Sequence, residues 1–133
     1  MAIRRATAAD AGRIAEIHVQ AYDESYRGIA PPEIFEGLTV ERRRAQWERF
    51  FSTATGTTSA HVAELGNETV GFCSGLAADG DVGWIKTLYV LRRAQRRGLG
   101  RALMAAVLAD LIPLGSRTLR LDVAEGNDRA EAF

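Results

Sequence analysis

The segment that most constrains this chain is the sequence Gln-Arg-Arg-Gly-Leu-Gly-Arg-Ala at positions 95–102. It follows an apolar run at 84–91 and opens a second apolar run, 99–112, whose spacing is that of a helix. A strand, a basic glycine-containing turn and a helix start in this order indicate an anion site. The reason is that the first N–H groups of a helix lack intrahelical partners and carry partial positive charge.

The glycines and arginines of this turn suit a phosphate ligand. Gly98 and Gly100 have no Cβ, so a phosphate can approach the nearby N–H groups closely. Arg96, Arg97 and Arg101 add formal positive charge around the same point. The predicted ligand is a diphosphate held mainly by backbone. The alternative is a tight structural turn that needs one glycine and has a solvated rim of arginines.

The order Q-x-x-G-x-G-x-A directly after L-Y-V resembles the acetyl-coenzyme A signature of the GNAT family of N-acetyltransferases. Three other segments resemble the same family in the same order: 3–10, 62–72 and 125–133. The resemblance implies an α/β (α+β) fold. Its central sheet is mixed and mostly antiparallel, with a parallel pair formed by the fourth and fifth strands and with helices on its faces.

Turn residues and apolar periodicity place the elements along one expected domain, residues 1–133. Asp10 is predicted to cap the first helix, residues 22–30 to form a loop, and Thr39 to cap a helix at 40–51. A further short helix is expected at 33–36, and a polar loop at 52–59. Strands are predicted at 3–6, 61–65, 69–76, 82–91 and 117–123, and a helix at 98–112.

The resemblance implies that a tyrosine and one or two closing strands would follow Phe133. On this expectation the C-terminal strands are missing, catalysis is impaired, and the strand at 117–123 presents an unpaired edge. An unpaired edge strand can pair with a strand of another chain, so a homodimer is one expected form of the protein.

Composition narrows the class of protein. Acidic and basic residues balance at 17 each, so no global field recruits nucleic acid or an anionic membrane. The longest apolar helical run is interrupted by charges, and no Cys/His cluster has metal-ligand spacing, so neither a membrane span nor a metal is expected. Cys73 is the only cysteine, and a cytoplasmic location fits. It is predicted to be a buried small hydrophobe rather than a nucleophile.

The resemblance implies direct transfer of an acetyl group from acetyl-coenzyme A, the co-substrate, to an amine. The pantetheine arm carries amides spaced like a peptide, so it can pair with exposed strand backbone. The backbone N–H of Val90 is a candidate to stabilise the thioester oxygen during attack. The residues implied to hold acetyl-coenzyme A are Leu88, Tyr89, Val90, Gln95, Arg96, Arg97, Gly98, Leu99, Gly100, Arg101 and Asn127.

The attacking amine must be neutral, so a base or a water chain has to remove its proton. Many relatives carry a glutamate where this chain has Trp84, which disfavours a carboxylate base on that strand. The substitutes considered are Glu24, Asp122 and Glu125, each with solvated surface as the alternative.

Acceptor selection is expected from aromatic residues. The candidates are Tyr22, Tyr26, Trp47 and Trp84, with core packing as the alternative for those of the N-terminal half. Neither histidine has a motif around it, and both are interpreted as structural.

The leading functional hypothesis is therefore an acetyl-coenzyme A-dependent N-acetyltransferase acting on an unidentified small molecule or peptide. The first alternative is a non-catalytic module that binds acetyl-coenzyme A as a sensor or interaction surface. The second is a nucleotide-phosphate-binding protein, which lacks support because the chain has no G-x-x-x-x-G-K-[ST] motif.

Overall fold

A five-stranded sheet lies at the centre of the structure, a computed structural model that describes residues 2–26, 28, 37–78 and 80–121. The strands are β1 (Ala2–Arg5), β2 (Thr58–Leu65), β3 (Glu68–Ala77), β4 (Val82–Val90) and β5 (Thr118–Leu121). The helices are α1 (Ala11–Tyr26), α2 (Val40–Ser52) and α3 (Leu99–Leu111). The spatial order is β1-β2-β3-β4-β5; neighbours are antiparallel except β4 and β5, which are parallel. This arrangement confirms the predicted mixed sheet.

The parallel pair follows from the long connection through α3. Residues 91–117 pass from the end of β4 through α3 and return to the start of β5, a crossover long enough for two parallel strands. The antiparallel strands β2 and β3 are instead joined by the two residues Gly66 and Asn67, and Gly66 has a φ of 60°. A left-handed Asn or Gly in a two-residue hairpin turn is what the twist of the strands requires.

A β-bulge interrupts the pairing of β3 with β4. Ser74 faces Thr87, whereas Gly75 faces Ile85, so Lys86 is an extra residue in β4. Because successive side chains point to opposite faces, the extra residue puts Trp84, Thr87 and Tyr89 on one face of the sheet.

The core has two layers, one on each face of the sheet. The helices α1 and α2 cover the face that carries Val62, Phe72 and Tyr89, which we call the acceptor face because aromatic residues of these helices are expected from the sequence to select the acceptor. The helix α3 covers the opposite face and packs on Cys73, Ile85 and Leu88 among others. Of the described helices, none is long and apolar enough to cross a bilayer.

Most described boundaries lie within about two residues of the sequence-based prediction, and two differ by more. The helix α1 continues to Tyr26, so Tyr22 and Tyr26 are helical and not in a loop; no glycine or proline interrupts the chain between Gly12 and Gly28. β2 begins at Thr58, inside the predicted polar loop, because it pairs with Leu76 of β3.

The residue predicted to cap the start of the first helix is also wrong. Asp10 is not the capping residue: a 3-10 turn at Ala8–Asp10 precedes α1, and Thr7 caps that turn. The carboxylate of Asp10 reaches back to accept from the Thr7 N–H at 2.8 Å and pairs with Arg4 at 2.8 Å. The predicted cap of α2 is confirmed, since the Thr39 hydroxyl accepts from the Arg42 N–H at 3.2 Å. The predicted helix at 33–36 lies outside the described residues.

Candidate active site

The last residues of β4 direct backbone polar groups away from β3. The N–H of Leu91 donates to the Val70 carbonyl at 2.9 Å. This bond makes Leu91 part of a hydrogen-bonded pair. Directly opposed residues of two antiparallel strands alternate between hydrogen-bonded and non-hydrogen-bonded pairs, so Val90 and Leu88 belong to non-hydrogen-bonded pairs. Their N–H and C=O groups therefore point to the β5 side. In the described part of the chain, β5 pairs with β4 only over Val82–Ile85, which leaves these groups beyond the paired stretch.

The turn after β4 is anchored to the end of that strand. The Nε2 of Gln95 donates to the Val90 carbonyl oxygen at 2.9 Å. Arg96 has a φ of 65° and Gly98 a φ of 79°, so two left-handed residues lie two positions apart. Successive backbone N–H groups in such a turn form a concave surface that suits an anion. A Cβ built on Gly98 would meet no atom within 4 Å, so the space over this turn is open.

The start of α3 completes the concave surface. The first hydrogen bond of the helix runs from the Ala102 N–H to the Gly98 carbonyl at 3.1 Å. The N–H groups of Leu99, Gly100 and Arg101 precede it and have no intrahelical acceptor. The Leu99 side chain is buried in the α3 core and fixes the helix end in place.

The three arginines of the turn surround it with unpaired charge. Arg96, Arg97 and Arg101 are all exposed, and no described carboxylate forms an ion pair with any of them. The structure thus brings together, at one end of β4, the strand backbone, the left-handed turn, the open helix start and positive charge. Asn127, predicted to join this set, lies outside the described residues.

Tyr89 occupies the other face of the sheet from the α3 core. Its ring lies 5.0 Å from that of His18 and 5.7 Å from that of Phe72. Burial, with smaller contributions from Tyr26 and Tyr22, raises the pKa of Tyr89 to about 12. The hydroxyl is therefore neutral at physiological pH, and the ring contributes packing next to the end of β4.

Tyr22 and Tyr26 lie one helical turn apart on α1, with ring centroids 4.5 Å apart. Glu24, which lies between them, accepts from the Arg92 N–H just after β4, so this end of α1 lies beside the end of β4. These are the aromatic candidates whose position, beside the end of β4, fits an acceptor site.

Trp47 is a core residue of α2. It is 5% exposed and packs edge-on against Phe72, 5.2 Å between ring centroids. Its Nε1 donates to the Nδ1 of His18 at 3.3 Å, so the neutral imidazole carries its proton on Nε2. Burial, with a smaller contribution from the Arg43 charge, lowers the pKa of His18 to about 4. Packing alone accounts for Trp47.

Trp84 lies on the acceptor face, half-buried, with cations beside it. Lys86 Nζ is 5.4 Å and Arg120 Cζ 5.9 Å from the centroid of its ring. No described acidic side chain replaces the glutamate that the family resemblance implies at this position.

Glu24 fastens the end of α1 to the segment after β4. Its Oε1 accepts from the Arg92 N–H at 2.9 Å, and its Oε2 accepts from Gln20 Nε2 at 3.4 Å. The Arg92 guanidinium also donates to the Glu24 carbonyl oxygen. This bonding gives the carboxylate a structural role, whereas Asp122 and Glu125, the other base candidates, lie outside the described residues.

The motifs found in the sequence do not include Arg43, a residue of α2 on the acceptor face. It lies on the stripe of α2 that faces the core, with Val40, Trp47 and Phe50 at helical spacing. A cation that interrupts an otherwise apolar stripe is the signal that could have revealed it.

Comparisons with known proteins agree with this geometry. The acetyltransferase (GNAT) family model matches residues 19–133. PaiA N-acetyltransferase from Thermoplasma acidophilum, solved with coenzyme A, has a similar fold: the TM-score is 0.85 at 17% identity, over 99% of this chain and 84% of that chain. Ribosomal-protein-alanine N-acetyltransferase from Brucella melitensis gives a TM-score of 0.69 at 18% identity, over 99% of this chain and 86% of that chain.

An aminoglycoside acetyltransferase from an uncultured soil metagenomic sample, solved with sisomicin, gives a TM-score of 0.66 at 17% identity, over 99% of this chain and 83% of that chain. No curated protein matches the sequence significantly. The family match spans well over half of the residues and includes the turn and strand that build the site. The chain belongs to the acetyltransferase (GNAT) family.

Proposed function

We propose that this protein transfers the acetyl group of acetyl-coenzyme A to a primary amine by direct attack, without a covalent enzyme intermediate. The observation that carries the proposal is the backbone of Leu88 and Val90, which lies beyond the described pairing with β5 and next to the left-handed turn at 95–98. Acetyl-coenzyme A is the co-substrate of the family, and its two halves match these two features.

The pantetheine arm would pair with the end of β4 as an added strand would. Its amides are spaced to meet the N–H and C=O groups of Leu88 and the N–H group of Val90, which point to the β5 side, whereas the Val90 carbonyl oxygen accepts from Gln95 Nε2. The diphosphate would lie over the turn, where a Cβ on Gly98 would meet no described atom within 4 Å and the N–H groups of Leu99, Gly100 and Arg101 lack intrahelical acceptors. Arg96, Arg97 and Arg101, exposed and without described partners, supply the counter-charge.

The reaction then needs three things at the end of β4. The amine nitrogen attacks the thioester carbon, the C–N bond forms and the C–S bond breaks. The Val90 N–H is placed to stabilise the negative charge that develops on the carbonyl oxygen. The amine loses its proton to water or to a carboxylate, for which Asp122 and Glu125 remain candidates, as does Glu24 if it leaves Arg92. The coenzyme A thiolate leaves and takes up a proton from water, which balances the proton that the amine has lost.

A matched pair of glycine substitutions tests the proposal. Gly98 and Gly115 both have a left-handed φ, 79° and 96°, and a Cβ at either would meet no atom within 4 Å. Gly98→Val therefore strains the backbone as Gly115→Val does, but only Gly98→Val places a side chain over the turn. Acetyl-coenzyme A should raise the melting temperature of the wild type and of Gly115→Val, and not that of Gly98→Val.

The same three proteins should be assayed for thiol release over a panel of amines. Turnover by the wild type and Gly115→Val, with loss in Gly98→Val, is the expected result. No melting shift at millimolar acetyl-coenzyme A would overturn the cofactor assignment. A shift without turnover of any amine would overturn the transferase activity and favour a binding module.

A further inference from the structure

The acceptor face carries a guanidinium whose bonding is incomplete. Arg43 donates from one terminal nitrogen to Gln46 Oε1 at 2.8 Å, but its Nε is buried and no described group accepts from it. It forms no ion pair with a described carboxylate. A buried donor without an acceptor is rare in native proteins and calls for an explanation.

The position of Arg43 links it to the end of β4. Arg43 lies one helical turn before Trp47 on α2, and Trp47 Nε1 donates to His18 Nδ1 at 3.3 Å. The His18 ring is 5.0 Å from that of Tyr89, and the positive charge of Arg43 acts to lower the pKa of both groups. Tyr89 directly precedes Val90, whose N–H is assigned to the thioester oxygen. Arg43 therefore lies on the side of the sheet from which an amine would reach the thioester.

The groups around Arg43 suit an anion. The imidazole of His18 is neutral at pH 7 because its pKa is lowered to about 4, and Tyr22 and Tyr26 of α1 and Tyr89 of β4 belong to elements that pack together on this face. Hydroxyls are hydrogen-bond donors, and a guanidinium binds a carboxylate through two parallel N–H···O bonds. The carboxylate of Glu24, which lies between Tyr22 and Tyr26 in the sequence, is held by Arg92 and Gln20.

More positive charge lies farther along the same face. Lys86 and Arg120 approach the ring of Trp84, which shares the acceptor face with Tyr89. A polycationic acceptor would meet Arg43 and these two further cations on the same face. An acceptor with a negative group would be attracted by all three.

We infer that the acceptor is an amine that also bears a carboxylate, as a free amino acid does, and that Arg43 binds this carboxylate. The inference rests on the proposed acetyl transfer and adds the class of acceptor. Arg43 is a specificity-determining residue in this assignment. It fixes the carboxylate, so that the amine nitrogen faces the thioester beside Val90.

The test compares acceptors that differ only in the carboxylate. Thiol release from acetyl-coenzyme A is measured with L-amino acids and β-alanine, each against its own carboxamide, and with spermidine and sisomicin. At least one acid should exceed its amide in kcat/KM by roughly tenfold to a hundredfold, the effect of a charge-assisted bidentate contact. Equal or better turnover of the amides, or a preference for the polycations, would overturn the inference and leave acetyl transfer intact.

The variants separate binding of the carboxylate from folding. Arg43→Met keeps an apolar stem on the core-facing stripe and removes the charge, so it should raise KM for the acid and leave the amide unchanged. Arg43→Lys should restore part of the loss. Arg44→Met, on an exposed neighbour that pairs with Glu48 at 3.7 Å, is the control and should behave as the wild type. An equal loss for acid and amide in Arg43→Met would contradict the assignment.

A binding measurement keeps the inference testable if turnover is absent. With coenzyme A present, the preferred acid should raise the melting temperature further, and its amide should not. Arg43→Met should lose this additional shift but keep the shift due to coenzyme A. If no carboxylate compound of the panel gives turnover or an additional shift while coenzyme A binds, the inference is wrong.

Discussion

Gln95 donates a 2.9 Å hydrogen bond from its Nε2 to the carbonyl oxygen of Val90, and so ties the proposed diphosphate turn to the strand end proposed to bind the thioester. Side-chain bonds to backbone carbonyls are common, but this one joins two parts of the site proposed for acetyl-coenzyme A. It fixes the distance between the strand that would pair with pantetheine and the turn that would hold the phosphates.

Gln95→Ala should weaken coenzyme A binding by roughly threefold to tenfold, the effect of one lost hydrogen bond on a preorganised turn. The melting temperature without ligand should change little, since the bond is only partly buried. Isothermal titration calorimetry measures the affinity, with Gln20→Ala on the exposed side of α1 as control. Wild-type affinity in Gln95→Ala would show that the bond does not organise the site.

We expect the three arginines of the turn to bind different phosphate groups of coenzyme A. Arg97→Ala should weaken coenzyme A by about tenfold and dephospho-coenzyme A much less, if Arg97 meets the ribose phosphate. Affinity for both ligands should fall as salt rises, because the three arginines are exposed. Equal losses for the two ligands would place Arg97 on the diphosphate instead.

Much of the fold could be predicted from local sequence. The Gly66-Asn67 turn predicts the β2–β3 hairpin, and the glycines after β4 predict the turn that precedes α3, since each is a local backbone requirement. The bulge at Lys86 and the role of Arg43 could not be predicted this way. Both depend on which residues face each other across the sheet and between helices, and a single sequence does not reveal such long-range pairs.

His18 should make the protein less stable in mild acid. Its folded pKa is lowered to about 4, whereas an unfolded histidine titrates near 6.5. As pH falls between these values, the unfolded chain binds a proton that the folded chain excludes. The free energy of unfolding should therefore fall by roughly 2 kcal/mol from pH 7 to pH 4.5.

His18→Gln removes the titration while offering an oxygen to Trp47 Nε1. Urea unfolding at pH 7 and pH 4.5 should show a flatter dependence in this variant than in the wild type. Identical slopes in the two proteins would mean that another group causes the acid sensitivity.

Asp110 should affect the free energy of unfolding in a lower pH range than His18 does. Burial alone would raise the pKa of Asp110, but hydrogen bonds from Ser59, His61 and Arg5 outweigh it and lower the pKa to about 2. Because the folded pKa is below the unfolded one, the stabilisation is present above about pH 4 and is lost as pH falls toward 2.

Asp110→Asn should accordingly lower the free energy of unfolding at pH 7 by about 1–2 kcal/mol. The difference from the wild type should shrink as pH approaches 2. Asp81→Asn, on an exposed residue, serves as the control and should be neutral. A constant difference across the acid range would contradict the linkage to the Asp110 carboxylate.

Gly75 should be the least replaceable glycine of the sheet. A Cβ there would lie 2.5 Å from the Trp84 carbonyl oxygen and 2.9 Å from Val107 Cγ1, so it would strike both the neighbouring strand and α3. The oxygen belongs to the backbone of β4 at the bulge and cannot move without shifting the strand.

Gly75→Ala should therefore destabilise the protein by about 2–3 kcal/mol, the upper end of overpacking, although alanine is the better β-former. Gly56→Ala is the matched control, because a Cβ at Gly56 meets nothing within 4 Å and its φ is not left-handed. It should be neutral or stabilise by up to about 1 kcal/mol by restricting the unfolded chain. Urea unfolding of the three proteins decides, and a Gly75→Ala variant as stable as the wild type would show that α3 does not pack tightly against the bulge.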